Sequence, residues 1–204
     1  EGAESADLPA VDEACPYPGL RSFGSGEAGW FHGRDAEITD LLVRLTATDV
    51  ASAPLAVVGV SGAGKSSLLR AGLFPVLDEQ RVPWRRVVLT PGPQPVDTLA
   101  VRLAAVTGAA PAALAESIRR DPESFGRHCL PGAGESPMIV VDQFEQLFTD
   151  GAGHEEQLAF ATALASARPA VVVLAVRADP VPDCIALDPL RGALDRPFVV
   201  GPLG

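Results

Sequence analysis

Apolar positions along the chain switch between two rhythms, one helical and one extended. From Asp35 onward, Ile38, Leu41, Leu42 and Leu45 recur at i, i+3, i+4 and i+7, which predicts one face of an amphipathic helix. Ser52 to Pro54 break that pattern before Leu55-Ala56-Val57-Val58-Gly59, a short apolar run that predicts a buried strand. Ser66 to Leu73 reads as helix again, and Arg86 to Thr90 as a second strand, ended by Pro91-Gly92-Pro93. Asp97 is placed to N-cap a helix carrying Leu99, Leu103 and Val106 on one face. Residues 111–130 predict one or two short helices broken at Asp121-Pro122. Pro137 opens a third strand, Met138 to Val141, followed by a helix from about His154 to Ala167 and a fourth strand, Val171 to Val176. Pro180, Pro182 and Pro189 restrict the next stretch to short helical pieces, and Phe198-Val199-Val200 reads as a fifth strand. Strands alternating with helices predict an α/β fold: a three-layer sandwich with a mainly parallel five-stranded sheet and helices on both faces.

Composition narrows the class of partner. The 204 residues are 47% hydrophobic with a net charge of −10, a globular chain without the broad basic surface that nucleic acid requires. The arginine groups at Arg81, Arg85 and Arg86, and at Arg119 and Arg120, are small and read as solvated faces. The longest apolar run, Ala170 to Val176, suits a buried strand and is too short for a membrane span, so no membrane partner is expected. Cys15, Cys129 and Cys184 form neither a metal spacing nor a disulfide framework, and His32, His128 and His154 are scattered. With no signal-peptide pattern, a reducing cytoplasmic location is expected. Residues 1–16 are acidic and small, a disordered or linker segment, leaving 17–204 as the folded core. A start at Glu1 rather than Met and a stop at Gly204 are expected of a piece of a longer protein.

The chemistry concentrates at Gly59-Val60-Ser61-Gly62-Ala63-Gly64-Lys65-Ser66, which fits the P-loop pattern G-x-x-x-x-G-K-[ST]. Lys65 is the single lysine among 16 basic residues, and it occupies the one slot where phosphate chemistry needs a lysine. Glycines let the backbone turn tightly, so that N–H groups of Ser61, Gly62, Ala63 and Gly64 form a nest for anionic oxygens at a helix N-terminus. Lys65 reaches the β- and γ-phosphates, Ser66 offers a hydroxyl to Mg²⁺, and Ser67 is placed to bond an α-phosphate oxygen. Met138-Ile139-Val140-Val141-Asp142 is an apolar strand ending in a carboxylate, the Walker B pattern, in which Asp142 helps to hold Mg²⁺ through water or Ser66. Glu145 is a candidate general base for an attacking water, against a reading as a solvent-facing helix-start glutamate, and Gln143 is an alternative water-orienting group. Arg177 closes the fourth strand in Val176-Arg177-Ala178-Asp179, where it could sense the γ-phosphate or pair locally with Asp179.

Inventory removes several classes. The guanine-reading N-K-x-D motif needs a lysine, and Lys65 is already used; no L-S-G-G-Q run exists, which excludes an ABC subunit. The additional-strand branch of P-loop ATPases remains. Within it, Cys15-Pro16-Tyr17-Pro18-Gly19-Leu20-Arg21-Ser22-Phe23 and Trp30-Phe31-His32-Gly33-Arg34-Asp35-Ala36-Glu37 resemble the start of a STAND-class signalling NTPase, specifically the bacterial novel STAND branch. Gly59 to Ser67, Val140 to Phe148 and Val176 to Asp179 carry the same resemblance, in the family's order, over nearly all of the chain from residue 15.

The resemblance implies that Phe31, Gly33 and Arg34 help to enclose adenine and ribose. It implies an ATP/ADP switch in which nucleotide exchange opens a closed form, permitting homo-oligomerisation and relay to a fused effector, with sensor repeats elsewhere in the protein. One departure is local: Pro180-Val181-Pro182 stand where related sequences usually have an aromatic pair. The other is that the family's helical lid and winged-helix segments would begin where this chain stops, which implies weak nucleotide binding and little turnover from these residues alone.

Overall fold

Five apolar runs become the strands of one sheet: β1 (Leu55–Gly59), β2 (Trp84–Leu89), β3 (Ser136–Val141), β4 (Val171–Arg177) and β5 (Phe198–Val199). The computed structural model describes residues 31–47, 53–81, 84–130, 136–179 and 187–201. The expected linker over 1–16, the segment from Pro16 through Trp30, Cys184 and the prolines at 180 and 182 lie outside the described residues.

The strand order is β2-β3-β4-β1-β5, and every pairing is parallel. The sheet is therefore wholly parallel rather than mainly so, as expected of strands joined by helical crossovers. In space β4 lies between β1 and β3, the two strands that lead into the glycine-rich loop at residues 60–64 and into Asp142, while β2 takes the outer edge. Gly59 is in register with Arg177, and Val141 with Leu174. All the carboxyl ends consequently meet along one edge of the sheet.

Alternation along each strand divides the core into two layers. Ala56, Val58, Ile139, Val141, Val172, Leu174 and Val176 join one buried cluster, whereas Leu55, Val57, Met138, Val140, Val173 and Ala175 join the other. The first is covered by α3 (Pro95–Thr107), α4 (Pro111–Arg120) and α6 (His154–Ala165), with short α5 (Gln146–Thr149) and α7 (Arg191–Leu194) at its margin. The second is covered by α1 (Asp35–Thr46), through Ile38, Leu41 and Leu45, and by α2, residues 65–79. Runs buried on both faces explain why the strands read as continuous apolar segments. None of the described helices is long and apolar enough to cross a membrane.

Two local expectations need correction. The helix after the phosphate loop does not stop at Leu73. It opens as α-helix at Lys65–Ser67, passes through a π-helical stretch at Leu68–Leu73 and continues through Phe74–Glu79. The Phe74 N–H donates to Leu69 O, five residues back, immediately before Pro75, which has no N–H to offer. Asp97 is not an N-cap either: α3 begins at Pro95, whose fixed φ suits the first helical position, with Gln94 as the capping residue. Asp97 lies in the first turn, where its carboxylate pairs with Arg119, which also bonds Glu156 of α6 at 2.8 and 3.0 Å. Arg119 thus ties three helices together at the surface, and Arg120 pairs with Glu116 on its own helix.

The end of β1 is closely packed against the chain beyond β5. Val200 N donates to Val58 O at 2.7 Å, and a Cβ on Gly59 would stand 2.6 Å from Val200 O. Gly59 is therefore required by close approach of backbone. Gly59→Ala should lower the unfolding free energy by about 1–3 kcal/mol, read as a shift in urea midpoint at unchanged slope; an unchanged midpoint would show that β5 can move away freely.

Candidate functional site

The loop between β1 and α2 has the geometry its sequence requires. Gly62 and Gly64 adopt φ of 77° and 85°, left-handed values that a Cβ would strain. Ala63 N donates to Val60 O at 3.2 Å, closing the turn, and Leu68 N donates to Gly64 O at 2.7 Å, starting the helix. Ser61 and Gly62 are exposed, Ala63 and Ser67 buried, and Lys65 half-buried. The Lys65 ammonium folds back over its own loop, donating to Gly59 O at 2.8 Å and Val60 O at 3.0 Å. Burial pulls its pKa below the ordinary lysine value; Glu145 opposes that shift, Arg177 adds to it, and Asp142 and Asp179 oppose it. All four charged groups therefore lie within electrostatic reach of Lys65.

Asp142 follows β3 directly and is buried at the foot of α2. Its backbone N donates to Leu89 O at 2.8 Å, fixing the strand end. Its Oδ1 accepts from Ser66 Oγ at 2.7 Å and from Gln143 N at 3.0 Å, while Oδ2 accepts from Arg70 at 3.0 Å. Ser66 and Asp142, 76 residues apart in sequence, are thereby joined. Gln143 has φ 52°, a turn that swings the chain from β3 into α5 and leaves its side chain exposed, accepting from Gln146 at 2.8 Å.

Glu145 caps the start of α5 and turns toward β4, where its Oε2 accepts from Arg177 N at 3.2 Å. It is half-buried rather than fully solvent-facing. The Arg177 guanidinium makes the local pair with Asp179, at 3.1 Å from Nε to Oδ1 and 2.9 Å to Oδ2. Of the two alternatives raised for Arg177, the local pair with Asp179 is the one the geometry shows, and the guanidinium also adds to the lowering of the Lys65 pKa.

Phe31, Gly33 and Arg34 lie at the entrance to α1. Gly33 has φ 84°, and the Phe31 ring packs on the second core layer, against Gly72 of α2. The Arg34 side chain is 1% exposed and reaches behind the phosphate loop, donating to Ala63 O at 3.0 Å, Gly201 O at 2.8 Å and Glu37 at 3.1 Å. One guanidinium thereby joins the start of α1, the loop and the chain leaving β5.

With this geometry in place, the match of the chain to the family described as Novel STAND NTPase 1, over residues 16–204, covers every element above. The chain belongs to the Novel STAND NTPase 1 family. A comparison with curated proteins returned no match. As a novel STAND NTPase, the chain is a nucleotide-binding module of the P-loop α/β class. Its candidate site includes two contacts that sequence reasoning missed. Arg70 on Asp142 was detectable in principle, since it lies four residues after Ser66 on the same helical face. The Arg34 clamp was not, because its acceptors are backbone carbonyls far away in sequence.

Among the described residues no group of three or more His, Cys, Asp or Glu side chains gathers. The hydroxyl of Ser66 and carboxylate of Asp142 are hard oxygen donors side by side at the loop, a donor set that fits Mg²⁺ shared with phosphate and water. Zinc would need nitrogen or sulfur ligands.

The clamp in this novel STAND NTPase makes a definite prediction. Arg34→Met should lower stability by about 2–4 kcal/mol, because the buried carbonyl of Ala63 and the more exposed carbonyl of Gly201 lose their donor. Arg34→Lys should recover less than half of that in urea denaturation, since one ammonium does not span the fork.

Proposed function

We propose that this novel STAND NTPase core is an ATP/ADP-binding switch module that hydrolyses ATP slowly and so controls self-association and a fused effector. The observation that carries the reading is the convergence of Lys65, Ser66, Asp142, Glu145 and Arg177 at the carboxyl edge of one parallel sheet. Phosphate oxygens fit the turn from Ser61 to Gly64 and the N-terminus of α2, with the Ser67 hydroxyl toward the α-phosphate. Lys65 exchanges its two loop carbonyls for β- and γ-phosphate oxygens, a stronger, charge-assisted pairing. Ser66 and Asp142 would hold Mg²⁺, which would supply positive charge to neutralise the phosphate oxygens. Phe31 and Gly33 are assigned to the adenine and ribose side of the site, whereas Arg34, buried behind the loop on Ala63 O, Gly201 O and Glu37, would act there only by holding that turn in place.

Glu145 is assigned as general base. The Arg177 N–H fixes one of its oxygens at the tip of β4, leaving the other to accept a proton from water. Arg177 is assigned as the sensor: its guanidinium trades Asp179 for the γ-phosphate, so the pairing differs between ATP and ADP. That exchange is what the effector and sensor segments would read.

A second reading, a scaffold that binds ATP or ADP without hydrolysis, is favoured by the same contacts, since Glu145 and Arg177 both already have protein partners. Calorimetric titration with ATP and ADP, with and without Mg²⁺, tests the shared premise. Lys65→Ala should weaken ATP about 10- to 100-fold. GTP should compete poorly; a preference for GTP would refute the adenine-nucleotide switch. Glu145→Gln separates the two readings in the complete protein. Under the switch it keeps nucleotide affinity and lowers turnover about 10²- to 10⁴-fold, whereas a wild type without turnover supports the scaffold.

A further inference from the structure

The Asp142 carboxylate is held by three donors, and one of them has no part in the motif that identifies the site. Ser66 Oγ and Gln143 N converge on Oδ1, and Arg70 alone holds Oδ2, at 3.0 Å. A carboxylate turns easily about its last side-chain torsion, which has broad minima. Two donors on one oxygen leave the plane of the group loosely defined, and a third donor on the other oxygen fixes it. Arg70 lies within the π-helical stretch Leu68–Leu73, a rare winding that concentrates at functional positions. That stretch packs closely on α1 at Gly72, where a Cβ would meet Ile38 at 2.8 Å and Phe31 at 3.0 Å.

We propose that Arg70 is a positioning residue for the divalent cation: it pins Oδ2 of Asp142 so that Oδ1 stays aligned with Ser66, the pair assigned above to hold Mg²⁺. The proposal rests on that assignment. Orientation and charge act in opposite directions here, because a guanidinium beside the carboxylate also repels a metal. The Arg70 side chain is 39% exposed, so water and salt screen its charge, whereas the Asp142 side chain it orients is only 8% exposed. On the proposal, orientation is the larger effect, and the sign of the change in metal affinity decides it. Outer-shell partners of this kind typically change metal affinity about 10- to 100-fold when removed.

The test uses the full chain, with Mn²⁺ as the probe. Electron paramagnetic resonance measures Mn²⁺ affinity of the ADP complex, and calorimetry measures ADP affinity in EDTA. Arg70→Ala should weaken Mn²⁺ about ten-fold while metal-free ADP affinity changes less than about two-fold, a split that general destabilisation does not produce. Arg70→Lys, which restores a donor and the charge, should recover part of the loss. Unchanged or tighter Mn²⁺ binding by Arg70→Ala overturns the proposal and leaves the nucleotide switch standing. So does an equal loss of metal-free ADP affinity. A wild type that binds no nucleotide overturns both.

Discussion

A wholly parallel sheet has a single carboxyl edge, and everything in the candidate site follows from that constraint. Each strand must deliver its chain to the same rim before a crossover returns it. β1 delivers Gly59 and the phosphate loop, β3 delivers Asp142, and β4 delivers Arg177, with Gly59 and Arg177 in direct register. Placing β4 between β1 and β3 sets the Arg177 backbone between the end of β1 and the strand that leads to Asp142. It also provides the N–H that receives Glu145, and the carbonyl of Ala175 that accepts from Phe144 N at 3.0 Å and holds the intervening turn. Phe144 then anchors that turn in the core, stacked on Phe160 at 6.4 Å. Position at the rim is thus a property of the apolar layers beneath it.

Charge at this rim is largely matched within the protein. Arg70 is paired with Asp142, Arg177 with Asp179, and Arg34 with Glu37 and two carbonyls. Lys65 is the exception in kind: it donates to uncharged carbonyls of its own loop. Its half-buried ammonium is bonded to neutral groups, and the partial desolvation lowers its pKa.

Much of this was legible in the sequence. β1, β3 and β4 announced themselves because strands buried on both faces must be apolar throughout, and the phosphate loop because its glycines and lysine are required by geometry at fixed spacing. Asp142 and Arg177 were legible as strand ends once a parallel sheet was inferred. What was not legible depends on contacts remote in sequence or on backbone rules that outrank side-chain patterns. Pro95 began α3 before Asp97 could cap it, and the π-helical turn carried α2 past Pro75. The Arg34 clamp joins atoms 29 and 167 residues away, and no periodicity encodes such a contact.

The contrast between arginine and lysine along this chain has a physical basis. Where a cation must bridge separate acceptors, the structure uses the planar fork of arginine: Arg34 spans the loop and the β5 exit, Arg119 spans Asp97 and Glu156, and Arg177 grips both oxygens of Asp179. At position 65 the side chain must curl back over a turn only six residues from its own acceptor, Gly59, and reach a second carbonyl at Val60. A flexible stem with a compact point charge satisfies that path, and a rigid guanidinium plane does not. In the proposed switch its three rotating donors would turn to phosphate without moving the backbone. Among the described basic residues of this rim, the single lysine therefore stands where reach over its own loop matters more than a fixed fork.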